Sequence, residues 1–131
     1  MKQDKTILII EDEKDIRQAL RDVLQLKKYK TLEAQNGSEG VDMALANHPD
    51  LILLDLIMPG INGMDALAKI REDDWGKNVP VIILTNQNAN SEQIIKDMIT
   101  HKPLEYLIKS DWEIHNVVKK IGEILQNQSM V

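Results

Sequence analysis

Cysteine and phenylalanine are absent from this 131-residue chain, and the remaining aromatics are two Trp and two Tyr. Without Cys there is no disulfide framework, no thiolate zinc site and no Cys nucleophile. That absence suits a reducing compartment. Without Phe the core has to be built from Ile, Leu and Val. No run approaches the ~20 apolar residues of a membrane helix. Met1 to Thr6 is polar and leads into an apolar run too short for a secretory signal. The formal charge of −5 argues against a basic nucleic-acid surface. A soluble, cytoplasmic protein with no membrane and no direct nucleic-acid partner is expected.

What is present is order. Hydrophobic residues make up 43% of the chain, enough for a core, and the length suits one domain over 1–131. Three continuous apolar runs stand out: Ile7–Ile10, Leu51–Leu54 and Val81–Leu84. Each is too short for a helix, and the first and third are rich in β-branched residues. That is the pattern of strands covered on both faces. Lys30–Ala34 and Leu104–Ile108 are weaker strand candidates.

Helical spacing fills the intervals. Ile16, Ala19, Leu20, Val23 and Leu24 form one apolar stripe. Val41, Ala44 and Leu45 form a shorter one. Met64, Leu67, Ala68 and Ile70 form a third, and Ile94, Ile95, Met98 and Ile99 a fourth, with Asn90 read as its cap. Ile114, Val117, Val118, Ile121 and Leu125 form the fifth, behind a capping-box match at Ser110–Glu113. Residues 126–131 read as a loose tail. Strand and helix alternating five times imply an α/β fold, a doubly wound five-stranded parallel sheet with helices on both faces. The flavodoxin-like order 2-1-3-4-5 is expected.

In such a sheet, ligands bind beyond the carboxyl ends of the strands. The residues found there are Glu11 and Asp12, Asp55, Thr85 and Lys109. Crowded carboxylates repel unless a cation or proton intervenes. Oxygen ligands without His or Cys suit magnesium, which takes one or two carboxylates plus a phosphate. A carboxylate can act as nucleophile and form an acyl phosphate. Lys109 and Thr85 then supply a cation and a hydroxyl for the transferring oxygens. Each residue alone reads more plainly, Thr85 as a structural hydroxyl and Lys109 as a solvated amine. Their convergence is what points to phosphoryl transfer. His48, His101 and His115 have no metal-ligand spacing, and the Met residues read as core filler.

The chain resembles a bacterial two-component response-regulator receiver domain, of the stand-alone chemotaxis-receiver kind. The resemblance rests on Ile9-Ile10-Glu11-Asp12-Glu13, Leu53-Leu54-Asp55-Leu56-Ile57-Met58-Pro59-Gly60, Gly63, Ile83-Leu84-Thr85 and Tyr106-Leu107-Ile108-Lys109. It implies that Asp55 is the phosphoacceptor. It implies a magnesium site made by Asp12 directly, Glu11 through water, Asp55 and the backbone carbonyl of Ile57. Thr85 and Lys109 would hold phosphoryl oxygens, and Tyr106 would be the aromatic switch. The implied donor is a histidine kinase or phosphotransfer protein. The implied output is contact with a further protein, through the fourth helix, fifth strand and fifth helix.

Four features depart from the family pattern. Ser110 follows Lys109 where many relatives carry a cis proline; a trans bond is expected here, because cis costs a non-proline residue about 2.5–4 kcal/mol. Ser110 is then expected to cap the last helix. Asn86 replaces a smaller residue and is expected to narrow the approach to Asp55. Ile57 and Gln87 stand at the positions that tune hydrolysis. An apolar Ile57 cannot position a water, so a long-lived acyl phosphate is expected. Lys102-Pro103 replaces a Gly-Ala pair and predicts a remodelled loop before the fifth strand.

Other classes remain open on residues alone. A phosphatase-like enzyme with an Asp nucleophile would want an acid at Ile57. A flavin module would want a phosphate-cradling loop in place of Glu11-Asp12. A degenerate receiver would bind partners without phosphorylation.

Overall fold

The computed structural model describes residues 4–129. Its elements run β1 (Thr6–Ile10), α1 (Lys14–Leu26), β2 (Lys30–Ala34), α2 (Gly37–Asn47), β3 (Leu51–Leu54), α3 (Gly63–Glu72), β4 (Val81–Thr85), α4 (Glu92–His101), β5 (Glu105–Ile108) and α5 (Ile114–Ser129). Short 3-10 turns lie at Trp75–Lys77 and Lys109–Asp111. The strands are parallel, in the order β2-β1-β3-β4-β5. The doubly wound order expected from the alternation is thus observed.

Alternate strand residues serve two cores, which is why the apolar runs are continuous. Leu8, Ile10, Ile52, Leu54, Val81 and Ile83 join Val41, Ala44, Leu67, Ile70 and Ile94, from α2, α3 and α4. Ile7, Ile9, Leu51, Leu53, Ile82 and Leu84 join Leu20, Leu24, Val117, Val118, Ile121 and Leu125, from α1 and α5. Each such buried Val, Leu or Ile contributes about 1.5–3 kcal/mol. Both faces are therefore filled, and the free edge is the one where the strands end.

Several local expectations are corrected. α4 begins one residue later than Asn90 implies: Ser91 is the cap, its Oγ accepting from Ile94 N–H at 3.1 Å. Of the α4 stripe only Ile94 is buried; Ile95 and Ile99 are 46% and 70% exposed. Leu45 of α2 is likewise exposed. Ser110 does not cap α5. It lies in the 3-10 turn, its N–H donates to Asn86 Oδ1 at 3.2 Å, and α5 starts at Ile114 with Glu113 accepting its first backbone bonds. The tail read as loose from 126 continues as helix to Ser129, and residues 130 and 131 lie outside the described ones.

Other expectations hold. No peptide bond among the described residues is cis. Met64 is buried and Met98 packs on the core. In the Lys102-Pro103 loop, Lys102 ends α4 in the left-handed region, with φ +52°. Arg71 of α3 fastens it, donating to the carbonyls of His101 (2.7 Å) and Lys102 (3.0 Å) and also to those of Gly76 and Val79.

Candidate functional site

Register decides which residues meet at the free edge. Ile10 pairs with Ala34 and with Leu54, so the residues that follow β1 and β3 emerge side by side. Glu11 N–H donates to Ala34 O and Asp55 N–H donates to Ile10 O, both at 3.0 Å, which carries the ladder one step past the strands. Thr85 pairs with Ile108, placing Lys109 next in line. Beyond Asp55 the chain turns through Gly60, at φ +82°, where a Cβ would be strained. Gly63 then passes so close that a Cβ there would lie 2.2 Å from Asp55 O.

Glu11 and Asp55 are 2% and 4% exposed, and Asp12 is half-buried. One carboxylate oxygen from each lies within 4.8 Å of the others. Lys109 reaches into this group. Its Nζ lies 2.9 Å from Glu11 Oε1, 3.0 Å from Asp55 Oδ2 and 2.9 Å from Glu13 Oε1. Asp55 Oδ1 accepts from Ile57 N–H at 3.2 Å, and Glu11 Oε2 accepts from Glu13 N–H at 3.1 Å. Burial pushes the Glu11 carboxyl up to about 7, against the pull of Lys109 and with the Asp55 charge adding to the rise. Burial works to lower the Lys109 ammonium, but its hydrogen bonds to Glu11, Glu13 and Asp55 outweigh this and hold it above its ordinary value.

Thr85 is fully buried, and its Oγ1 accepts from Gln87 N–H at 3.3 Å, so its own hydrogen remains to donate. Tyr106 packs partly on the core and donates its hydroxyl to Gln87 O at 2.7 Å. The backbone of one residue, Gln87, therefore joins Thr85 to Tyr106 through its N–H and its carbonyl. Burial, and then the Asp55 charge, push the Tyr106 phenol up. Asn86 is exposed, and its amide oxygen is engaged by Ser110. Ile57 is 56% exposed beside Asp55.

Two residues of this neighbourhood escaped sequence reasoning. Arg17 of α1 is 9% exposed and donates to Glu11 O at 2.9 Å and to Glu33 Oε1 at 3.2 Å. Its signal was available: it stands three and seven residues before Leu20 and Leu24, on the buried stripe. Glu13 stood in the motif that carries the resemblance but received no role, being one acid among neighbours in a polar loop.

Comparison with known proteins decides the family. The model described as "Response regulator receiver domain" matches residues 7–121. The chain belongs to the response regulator receiver family. Among curated relatives, this receiver is 34% identical over 90 residues to the phosphate regulon transcriptional regulatory protein PhoB of Pseudomonas aeruginosa, covering 69% of this chain and 39% of that protein. It is 33% identical over 81 residues to the polar-differentiation response regulator DivK of Brucella anthropi, covering 62% of this chain and 66% of that one. The receiver thus spans less than two thirds of either relative. A CheY-like receiver domain protein of Methanospirillum hungatei superposes with a TM-score of 0.87 at 22% identity, covering 98% of both chains, and this likeness speaks for the fold. No helix among the described residues is long and apolar enough to cross a membrane.

Proposed function

We propose that Asp55 is the phosphoacceptor of a two-component phosphorelay, and that 1–131 acts as one receiver unit. The observation that carries this is the Lys109 ammonium 3.0 Å from a nearly buried Asp55, inside the cluster formed with Glu11 and Asp12. In the transfer, an Asp55 oxygen forms a bond to phosphorus. The bond from phosphorus to the donor's nitrogen or oxygen breaks, and the leaving group keeps that electron pair. Lys109 neutralises one oxygen of the transferring group and Thr85 donates to another.

The donor set is all oxygen and suits magnesium. Asp12, Asp55 and the Ile57 carbonyl would hold it. Both Glu11 oxygens already have protein partners, which supports a role for Glu11 through water. Bound there, the ion would offset the carboxylates and neutralise phosphoryl charge. An open cavity of ≈ 610 Å³, lined by Asp12, Asn36, Pro59 and Gly60, adjoins the acidic group at Asp12.

The donor is a histidine kinase or phosphotransfer protein. The protein catalyses only its own phosphorylation and dephosphorylation, and it works in the cytoplasm. Thr85, drawn toward the phosphoryl group, pulls on Gln87 and through it on Tyr106. The exposed Ile95 and Ile99 of α4 and Leu104 just before β5 support an output through protein contact on the α4–β5–α5 face. Intact mass after incubation with acetyl phosphate and magnesium tests the acceptor. Wild type gains one phosphoryl group and Asp55→Asn gains none. Gain in both proteins refutes the assignment of Asp55, and gain in neither favours a receiver that works without phosphate.

A further inference from the structure

A lysine ammonium has three N–H groups. In this receiver all three are spent on carboxylate oxygens, from Glu11, Glu13 and Asp55. A phosphoryl oxygen can be bound by Lys109 only if one of those partners leaves. Asp55 is the group being modified. Glu11 is almost fully buried and is held at its second oxygen by Glu13 N–H. Glu13 alone has a side chain that is 56% exposed, so water can receive it.

Glu13 also occupies the N-cap position of α1, yet its side chain makes no capping bond. Its carboxylate serves Lys109 instead of the helix. Nor does it belong to the group of three carboxylates that can hold a metal. It is an acid that the acceptor chemistry does not need, 2.9 Å from the cation that chemistry does need.

Resting on the acceptor reading above, we propose that Glu13 sets the rate of phosphorylation. It occupies Lys109 before transfer and repels the negative charge of the incoming donor. Two oxygens bound to one ammonium lie about 5 Å apart. At the high effective dielectric of an exposed site, two charges at that range interact by a few RT at most. The expected penalty is therefore roughly 3- to 10-fold in rate. It grows with the donor's charge and shrinks as salt screens the exposed partner. Glu13 thereby also selects among donors, favouring those that bring less negative charge to the cleft.

The test compares Glu13→Gln and Glu13→Ala with wild type, using acetyl phosphate and, separately, phosphoramidate, which brings one negative charge fewer at neutral pH. Rates come from intact mass, and thermal midpoints establish that each variant folds. Both variants are expected to label about 3- to 10-fold faster than wild type with acetyl phosphate. The gain should be smaller with phosphoramidate and should shrink at high ionic strength as wild type catches up. Unchanged or slower labelling in both variants, while wild type labels at Asp55, overturns the role of Glu13 and leaves the acceptor reading standing. So does an equal gain with both donors at every salt concentration. Label that persists in Asp55→Asn, or a wild type that takes none, overturns the acceptor reading and this inference together.

Discussion

Replacing Lys109 by Met keeps a long aliphatic side chain and deletes the one cation shared by Glu11, Glu13 and Asp55. The side chains of Lys109, Glu11 and Asp55 are 9%, 3% and 4% exposed, so water cannot take over the lost contacts. Removing one partner of a buried ion pair costs about 3–5 kcal/mol. Glu13 adds little to that, because its exposed carboxylate returns to solvent. The penalty also has an outlet. Glu11 is already pushed to about 7 by burial, and without Lys109 it binds a proton more readily still. At pH 5.5 a proton takes the place of the ammonium, whereas at pH 8 the carboxylates are left to repel.

Urea unfolding in the presence of a chelator, followed by Trp75 and Trp112 fluorescence, should therefore show a loss of ~3 kcal/mol at pH 8, the low end of that range. At pH 5.5 the loss should be ~1 kcal/mol or less. In a thermal melt the pH 8 loss corresponds to roughly 10 °C. Magnesium should narrow the gap at pH 8, since a divalent ion supplies the missing charge. A variant as stable as wild type at pH 8, or one that loses the same amount at both pH values, refutes the idea that Lys109 holds this edge together by charge.

Other consequences are equally direct. Glu11 titrates near 4.5 unfolded and about 7 folded. Its contribution is therefore complete below pH 4.5 and is lost as pH rises to 7, by about 3 kcal/mol; chelated Glu11→Gln should lack that slope in melts across this range, and an unchanged slope contradicts it. In Gly63→Ala the new Cβ meets Asp55 O at 2.2 Å and Leu56 Cα at 2.6 Å, backbone atoms that no rotamer change can relieve. It should lose about 1–3 kcal/mol in urea unfolding and should label more slowly. Arg71→Met strands four carbonyls and should cost about 3 kcal/mol, mostly as faster hydrogen exchange around residues 101–103. The acyl phosphate on Asp55 should persist beyond seconds after donor removal, because exposed, apolar Ile57 holds no water for attack; decay of most label within seconds counts against this.

The strands and their order were legible because two-faced burial writes itself as unbroken apolar runs, and alternation with helical spacing leaves few topologies. The same logic exposed Glu11, Asp12, Asp55, Thr85 and Lys109, since strand ends are positions in sequence as much as in space. Caps were less legible. Asn90 and Ser91 both have side chains able to cap, and only backbone geometry chose between them. Ser110 had the right neighbours for a cap, but it lies in the 3-10 turn at Lys109–Asp111, its N–H bonded to Asn86 24 positions away, and α5 starts only at Ile114.

The chain by itself thus determined the fold class, the edge that carries chemistry and the residue types on that edge, because all three follow from local pattern. Tertiary structure decided how those residues are partnered. That Lys109 divides its charge among three acids, that Arg17 is buried against Glu11, and that Gln87 links Thr85 to Tyr106 depend on register and on distances between separate strands. Hydrogen bonds and ion pairs act over about 3 Å, and periodicity along a chain does not encode a length that small between segments so far apart in sequence.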